Sequence, residues 1–375
     1  MGIDELKVVH VVGARPNFMK AAPVIEAFGA EQAKQTLVHT GEHYGENMSR
    51  VFFDELGLPE PDVNLGVGSG TQAYQTGEVM KRIESVFTEE APDIVLVYGD
   101  VNSTIAAALV AKKLHITVAH VEAGLRSGDR SMPEEINRVI TDQISDLLFT
   151  HSPEADDNLR NEGVAPEAIH FVGNVMIDTL KRLLPKARER TIHGKLGLMA
   201  ESGEIQPYMV ATLHRPCNVD HSDRLARLME ILSDIGQEAP IILPLHPRTA
   251  ARLEEEEGIS VDREAVRIIE PLGYLDFLHL EAAARAVITD SGGIQEETTF
   301  LGVPCFTLRP NTERPITIHE GTNRLITDIS RLPKAVREAT TGKADAARTP
   351  QLWDGRAAER IAEVIIDWHE GADLE

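Results

Sequence analysis

Three carboxylates fall where an α/β protein usually does its chemistry. Asp100 ends the apolar run Ile94-Val95-Leu96-Val97-Tyr98-Gly99, and Glu122 stands near the end of Val118-Ala119-His120-Val121. Glu134 lies in Pro133-Glu134-Glu135, a segment that opens a helix. A lone acid at a strand end is usually a cap or turn residue, but three at successive element ends of one half of the chain suit general acid–base work. Two cations, Arg15 and Lys20, follow the run Leu6 to Val12 and the loop Gly13-Ala14. They therefore sit above the carboxyl end of a strand, where such sheets bind ligands.

The other half carries a candidate anion grip. Thr289-Asp290-Ser291-Gly292-Gly293 follows Ala286-Val287-Ile288 and leads into Ile294-Gln295-Glu296-Glu297-Thr298, which reads as strand, turn and helix. A helix start presents unpaired N–H groups, and two glycines remove the β-carbons that would hold a phosphate away. Taken alone, the turn is equally a helix start capped by Ser291. Glu297, one turn beyond Gly293, can accept from hydroxyls such as those of a ribose. Glu296 reads as solvated or structural. His214 and His246 each follow an apolar strand with an arginine close by, in Thr212-Leu213-His214-Arg215 and Pro244-Leu245-His246-Pro247-Arg248. Arg314, in Thr312-Glu313-Arg314-Pro315, could fork onto a diphosphate or pair with Glu313. One half suits proton transfer, the other a phosphorylated leaving group.

The elements that must position these groups alternate strand and helix twice over. Strands are expected at Leu6–Val12, Thr36–Thr40, Ile94–Tyr98, Val118–Gly124 and Phe171–Asn174, with amphipathic helices between them, one of them around Met48 to Leu56. A second series runs through Tyr208–Leu213, Ile241–His246, Val266–Ile269, Ala286–Thr289 and Cys305–Thr307. The expected fold class is α/β, two doubly wound Rossmann-like domains facing a cleft. Their boundaries fall at 1–180 and 207–355, with an interdomain region at 181–206. A last helix over 356–375 is expected to pack back on the first domain. Gly66-Val67-Gly68-Ser69-Gly70 lacks the dinucleotide spacing and a preceding strand, so it reads as a loop.

Composition narrows the classes further. At 375 residues the chain can bury two cores. Its 60 acidic and 37 basic residues give a formal charge of −23, which argues against nucleic acid and anionic membrane surfaces. No apolar run approaches the ~20 residues of a membrane span, and the acidic start does not read as a secretion signal. Two widely spaced cysteines, Cys217 and Cys305, predict a reduced, cytoplasmic protein. No metal motif is complete: His120-Val121-Glu122 is half of a zinc-deaminase signature whose cysteine pair is missing. A serine-hydrolase elbow is absent as well.

The motifs in order resemble one family, the non-hydrolysing UDP-N-acetylglucosamine 2-epimerases. The resemblance is carried by Gly13-Ala14-Arg15-Pro16, Tyr98-Gly99-Asp100, His120 to Arg126, Pro133 to Arg138, His214-Arg215, Thr289 to Glu297 and Thr312 to Pro315. It implies the glycosyltransferase-B arrangement of two Rossmann-like domains, a homodimer, a UDP-sugar substrate and no cofactor. It also implies interconversion of UDP-N-acetylglucosamine and UDP-N-acetylmannosamine through elimination of UDP to 2-acetamidoglucal and re-addition. Asp100, Glu122 and Glu134 would be the acid/base carboxylates, with His214 assisting. Arg15, Arg314 and the Ser291-Gly292-Gly293 turn would hold the departing diphosphate, and Glu297 the ribose hydroxyls. Lys20, Arg138 and His246 would line the site. Where the family commonly has Gly-Gln-His, this chain has Gly41-Glu42-His43, which bears on whether Glu42 and His43 help bind a second, activating substrate molecule. The usual Glu-Asn after His-Arg is Cys217-Asn218.

Competing functions are a hydrolysing epimerase releasing UDP and N-acetylmannosamine, a 2-epimerase of UDP-2,3-diacetamido sugar uronates, a retaining glycosyltransferase and a nucleotide-sugar-binding regulator. The uronate group tends to have Gln-Lys-Glu at 295–297 and a Trp in place of Arg314-Pro315. A regulator that only binds an anion gains nothing from three carboxylates.

Overall fold

The computed structural model describes residues 5–41, 55–245, 247–255, 260–341 and 348–372. Two compact units result, Met1–Arg182 with Gln351–Glu375, and Leu183–Pro350. The division thus falls at 182/183, inside the stretch expected to be interdomain, and the chain rejoins the first unit at Gln351. Helix Ala357–Ala372 packs on helix Arg15–Gln32 of that unit. Asp178 holds its start, accepting from Ala357 N at 3.2 Å and Ala358 N at 2.7 Å.

The first unit is a seven-stranded sheet of β1 (Lys7–Val12), β2 (Lys34–His39), β3 (Val63–Asn64), β4 (Ile94–Tyr98), β5 (Thr117–Ala123), β6 (Leu147–Thr150) and β7 (Ile169–Phe171). The strand order is β3-β2-β1-β4-β5-β6-β7, every pairing parallel. Helices cover both faces of such a sheet, which is why β4 reads Ile-Val-Leu-Val-Tyr and is buried throughout. Ala106, Ala107, Ala108 and Ala111 are buried on helix Asn102–Lys113, and these short side chains let helices Gln72–Glu90 and Pro133–Ile144 pack against it.

The second unit repeats the design with β8 (Met209–Thr212), β9 (Ile241–Pro244), β10 (Val266–Ile269), β11 (Val287–Thr289), β12 (Cys305–Thr307) and β13 (Asn323–Leu325). Its parallel order is β10-β9-β8-β11-β12-β13. A core of Leu225, Leu228, Leu232, Ile241, Leu243, Ile288 and Phe306 fills one face. β3 and β13, like β6 within the first sheet, were not expected as strands from the sequence. β3 and β13 are both edge strands of two or three residues, too short to show a hydrophobic period. The helix expected around Met48 lies largely outside the described residues.

One buried histidine ties β1 to β4. His10 Nδ1 is 2.7 Å from the Tyr98 hydroxyl and Nε2 is 3.0 Å from Gln35 Oε1. Burial, only partly opposed by the Gln35 bond, lowers its pKa to about 4. A histidine held neutral in the fold stabilises it fully above the unfolded value near 6.5 and loses that contribution as pH falls toward 4. The share is about 3 kcal/mol by linkage. In urea titrations across this range, His10→Gln is expected to lose less stability on acidification than wild type; parallel curves would contradict the assignment.

Candidate active site

In both sheets the strand order reverses next to the first strand, and that reversal opens a crevice at the carboxyl edge. In the first unit it lies between β1 and β4. Arg15 opens the helix that leaves β1, Lys20 follows on that helix, and Asp100 ends the turn that leaves β4. Glu122 lies at the end of β5 next door.

The turn after β4 is fixed atom by atom. The Tyr98 carbonyl accepts from Asn17 Nδ2 at 2.7 Å and Thr104 Oγ1 at 2.9 Å. The Gly99 carbonyl is 2.8 Å from His120 Nε2, and the Asp100 carbonyl accepts from Asn137 Nδ2 at 2.9 Å. Gly99 has φ +64, and a β-carbon there would stand 2.7 Å from Lys20 Nζ and 3.4 Å from Glu122 Oε2. Glycine is therefore required both by the left-handed backbone and by the close approach of the Lys20–Glu122 ion pair. The two side chains of that pair are only 7% and 6% exposed.

Glu122 itself has φ +73, and the β5–β6 register shifts across it between Val121 and Ala123. A non-glycine residue held there stores about 1–3 kcal/mol of strain, and such strain collects at functional sites. Asp100 Oδ2 accepts from Arg138 Nε at 2.9 Å, with Arg138 Nη2 also at 2.9 Å. Arg138 is pinned on its other side by Glu135. Glu135 also accepts from Ser127 N and Oγ and from Gly128 N at 2.9 to 3.0 Å. Burial favours its neutral form, but these donors and Arg138 outweigh it and hold its carboxyl below the usual range. Glu135 is structural. Glu134, in the same first turn behind Pro133, is half-buried.

In the second unit the reversal lies between β8 and β11, and His214 and Ser291 follow those strands. Helix Gly292–Leu301 begins without a side-chain cap, so Ser291 does not close its N-terminus in the way a capping residue would. A β-carbon on Gly292 would stand 2.6 Å from Arg314 Nη1, so the glycine admits the guanidinium against the helix start. Arg314 is held there by Glu313 and, through Nε at 3.0 Å, by Glu296. Arg309 braces Glu313 at 2.6 Å. Glu296 is 1% exposed, hence structural and not solvated. Glu297, one residue on, accepts from the Tyr274 hydroxyl at 3.0 Å. Burial raises its pKa and that of its carboxyl neighbour Glu281, so the pair retains protons that exposed carboxyls would release.

His214 is oriented by a residue to which the sequence gave no role. Asp290 is fully buried, and its Oδ1 is 2.6 Å from His214 Nδ1. Its carboxylate also accepts from the backbone N–H groups of His214 and Arg215 and from Asn218 Nδ2 at 3.0 to 3.2 Å. Burial works against its charge, yet these donors and His214 hold its carboxyl below the usual range. An imidazole anchored at Nδ1 by a carboxylate leaves Nε2 for a ligand, and the His214 side chain is 60% exposed. Asp290 stands inside the quoted motif, and Asn218 four residues after His214; only their meeting across 72 positions was invisible. Glu42, His43 and His246 lie outside the described residues.

The profile of the family described as UDP-N-acetylglucosamine 2-epimerase matches residues 26–366. The chain belongs to that family. The Methanocaldococcus jannaschii protein named UDP-N-acetylglucosamine 2-epimerase is 43% identical over 366 residues, covering 96% of this chain and 99% of its own. Its crystal structure in complex with UDP-GlcNAc and UDP superposes with a TM-score of 0.85 at 42% identity, again over 96% and 99% of the two chains. A Pseudomonas aeruginosa protein named UDP-2,3-diacetamido-2,3-dideoxy-D-glucuronate 2-epimerase is 41% identical over 364 residues, 96% of this chain and 99% of its own.

Proposed function

We propose that this family member interconverts UDP-N-acetylglucosamine and UDP-N-acetylmannosamine without net hydrolysis. The observation that carries the reading is that the candidate groups collect at or beside the reversal point of each sheet. The first unit offers Asp100 and Glu122, each against a cation, and the second offers an uncapped helix start with Arg314 drawn against Gly292. In the forward direction a base removes the C2 proton as the C1–O bond breaks, and UDP leaves with the bonding electrons. 2-Acetamidoglucal remains. UDP then adds back at C1 while C2 takes a proton on the opposite face, so at least two groups serve, drawn from Asp100, Glu122 and Glu134 with His214 assisting.

The C2 hydrogen is too weakly acidic for a carboxylate unless charge leaves at the same time. Gripping the diphosphate is therefore half of the catalysis. A helix start contributes about 0.3–1 kcal/mol when exposed and up to ~2 when partly buried, so Arg314 and Arg15 must share the load. Glu297, steadied by Tyr274, would take the ribose hydroxyls, and Lys20, Arg138 and His246 would line the site. The N-acetylglucosamine substrate is favoured over the uronate by the Glu296–Arg314 pair, since the lysine and tryptophan of the uronate pattern would remove both of its members. The same reading makes the enzyme a cytoplasmic homodimer. Ile136 and Ile140, one turn apart and exposed at 39% and 37%, support a second copy on the first unit, which sedimentation would reveal. Among the described residues no helix is long and apolar enough to cross a membrane.

Incubation with UDP-N-acetylglucosamine followed by 31P and 1H NMR tests this. Accumulation of UDP-N-acetylmannosamine to an equilibrium ratio is expected; stoichiometric free UDP with free N-acetylmannosamine would instead make the enzyme hydrolysing. Asp100→Asn should lower kcat by about 100-fold or more while UDP affinity measured by calorimetry stays within a few-fold. A matching loss of UDP affinity would show Asp100 to be structural.

A further inference from the structure

We infer that Asp142 and His120 form a buried clamp that sets the positions of both Glu122 and Asp100. The inference rests on the acid/base roles proposed above for those two residues. Asp142 and His120 are each at most 1% exposed. Asp142 Oδ1 is 2.7 Å from His120 Nδ1, and Asp142 Oδ2 accepts from Gly124 N at 3.1 Å. One carboxylate thus grips the chain two residues before Glu122, on β5, and two residues after it, just past the strand end, on either side of the left-handed backbone at that residue. The far nitrogen of the same ring, His120 Nε2, reaches the Gly99 carbonyl at 2.8 Å, directly before Asp100.

The arrangement is charged and anchored. Arg126 Nη1 stands 2.7 Å from Asp142 Oδ2 and is itself held by Glu162 through Nε at 2.7 Å. Burial opposes the charge on Asp142, but His120 and Arg126 hold its carboxyl below the usual range. A carboxylate and a carbonyl both only accept, and the ring bridges these two acceptors, one at each nitrogen. Within the His120-Val121-Glu122 motif the histidine positions, and the glutamate two residues on faces the Lys20 ammonium. Strain of the kind held at Glu122 persists only where the surroundings over-determine it, and Asp142 supplies that determination from helix Pro133–Ile144.

His120 and Asp142 are positioning residues, so the test separates placement from folding. His120→Asn keeps a donor toward Asp142 and releases the Gly99 carbonyl; His120→Gln keeps a donor toward Gly99 and releases Asp142. Asp142→Asn can keep both, its amide donating to a neutral His120 and its carbonyl accepting from Gly124. Steady-state kinetics of the full-length enzyme with UDP-N-acetylglucosamine are expected to show kcat down about 30-fold or more in His120→Asn, with KM within about threefold. Asp142→Asn should stay within about tenfold of wild type, and His120→Gln should fall between. The proposal is overturned by a kcat within twofold of wild type in His120→Asn, or by equal losses in all three variants. It is likewise overturned if neither His120 variant folds by circular dichroism, which would assign the pair to the core alone. Loss of turnover in His120→Asn alongside full turnover in Asp100→Asn would remove the role given to Asp100 and leave the clamp standing.

Discussion

Three consecutive carbonyls, those of Tyr98, Gly99 and Asp100, are each held by side chains from other elements, and the acid–base role proposed for the first unit depends on that constraint. A parallel strand normally releases its last carbonyls to solvent or to the following turn. Here Asn17, Thr104, His120 and Asn137 take them, and they come from two helices, the neighbouring strand and a third helix. The turn cannot shift without breaking bonds to all of these. It therefore holds Asp100 against Arg138 and leaves room, at the side-chain-free Gly99, for the Lys20–Glu122 pair to sit directly beside it. Buried hydrogen bonds are each worth about 1 kcal/mol net, but an orphaned buried partner costs about 1–3 kcal/mol, so the network resists piecemeal loosening.

The second unit solves a different problem with the same topology. On the proposed function it must grip an anion, which needs donors that are already aimed. The start of helix Gly292–Leu301 meets this because no side chain caps it, and Arg314 is kept against it by two carboxylates that are themselves buried. Pairing a guanidinium with Glu313 and Glu296 sacrifices some of its attraction for a phosphate and gains a fixed orientation, the usual exchange in preorganised sites. Asp290 does the same for His214, spending its acceptor capacity on two backbone N–H groups, one amide and one imidazole.

Much of this was legible in the sequence because a strand end is a local signal. Apolar runs that stop at Gly99, Ala123 and Thr289 mark the carboxyl edges, and the candidate residues at or just beyond those ends lie at or beside the reversal points. The positioning partners were not legible. His120 meets Asp142 across 22 positions and Asp290 meets Asn218 across 72, and no periodicity links such pairs. Local patterning also hid which member of Glu134-Glu135 is structural, since both suit the first turn of a helix. Only the loop at Ser127-Gly128 folding onto Glu135 decides it. The glycine-rich stretch after Gly66 read as a loop, yet β3 just before it adds an edge strand too short to announce itself.

The central claim is that the carboxylates of the first unit exchange the C2 proton of the sugar while the second unit holds UDP. Its most direct test is turnover of UDP-N-acetylglucosamine in D2O, with 1H NMR and mass spectrometry of the C2 position. The account predicts one deuterium at C2 in both recovered UDP-sugars for the wild type, and none at a comparable rate for Glu122→Gln. Epimerisation with the original C2 hydrogen fully retained would contradict it.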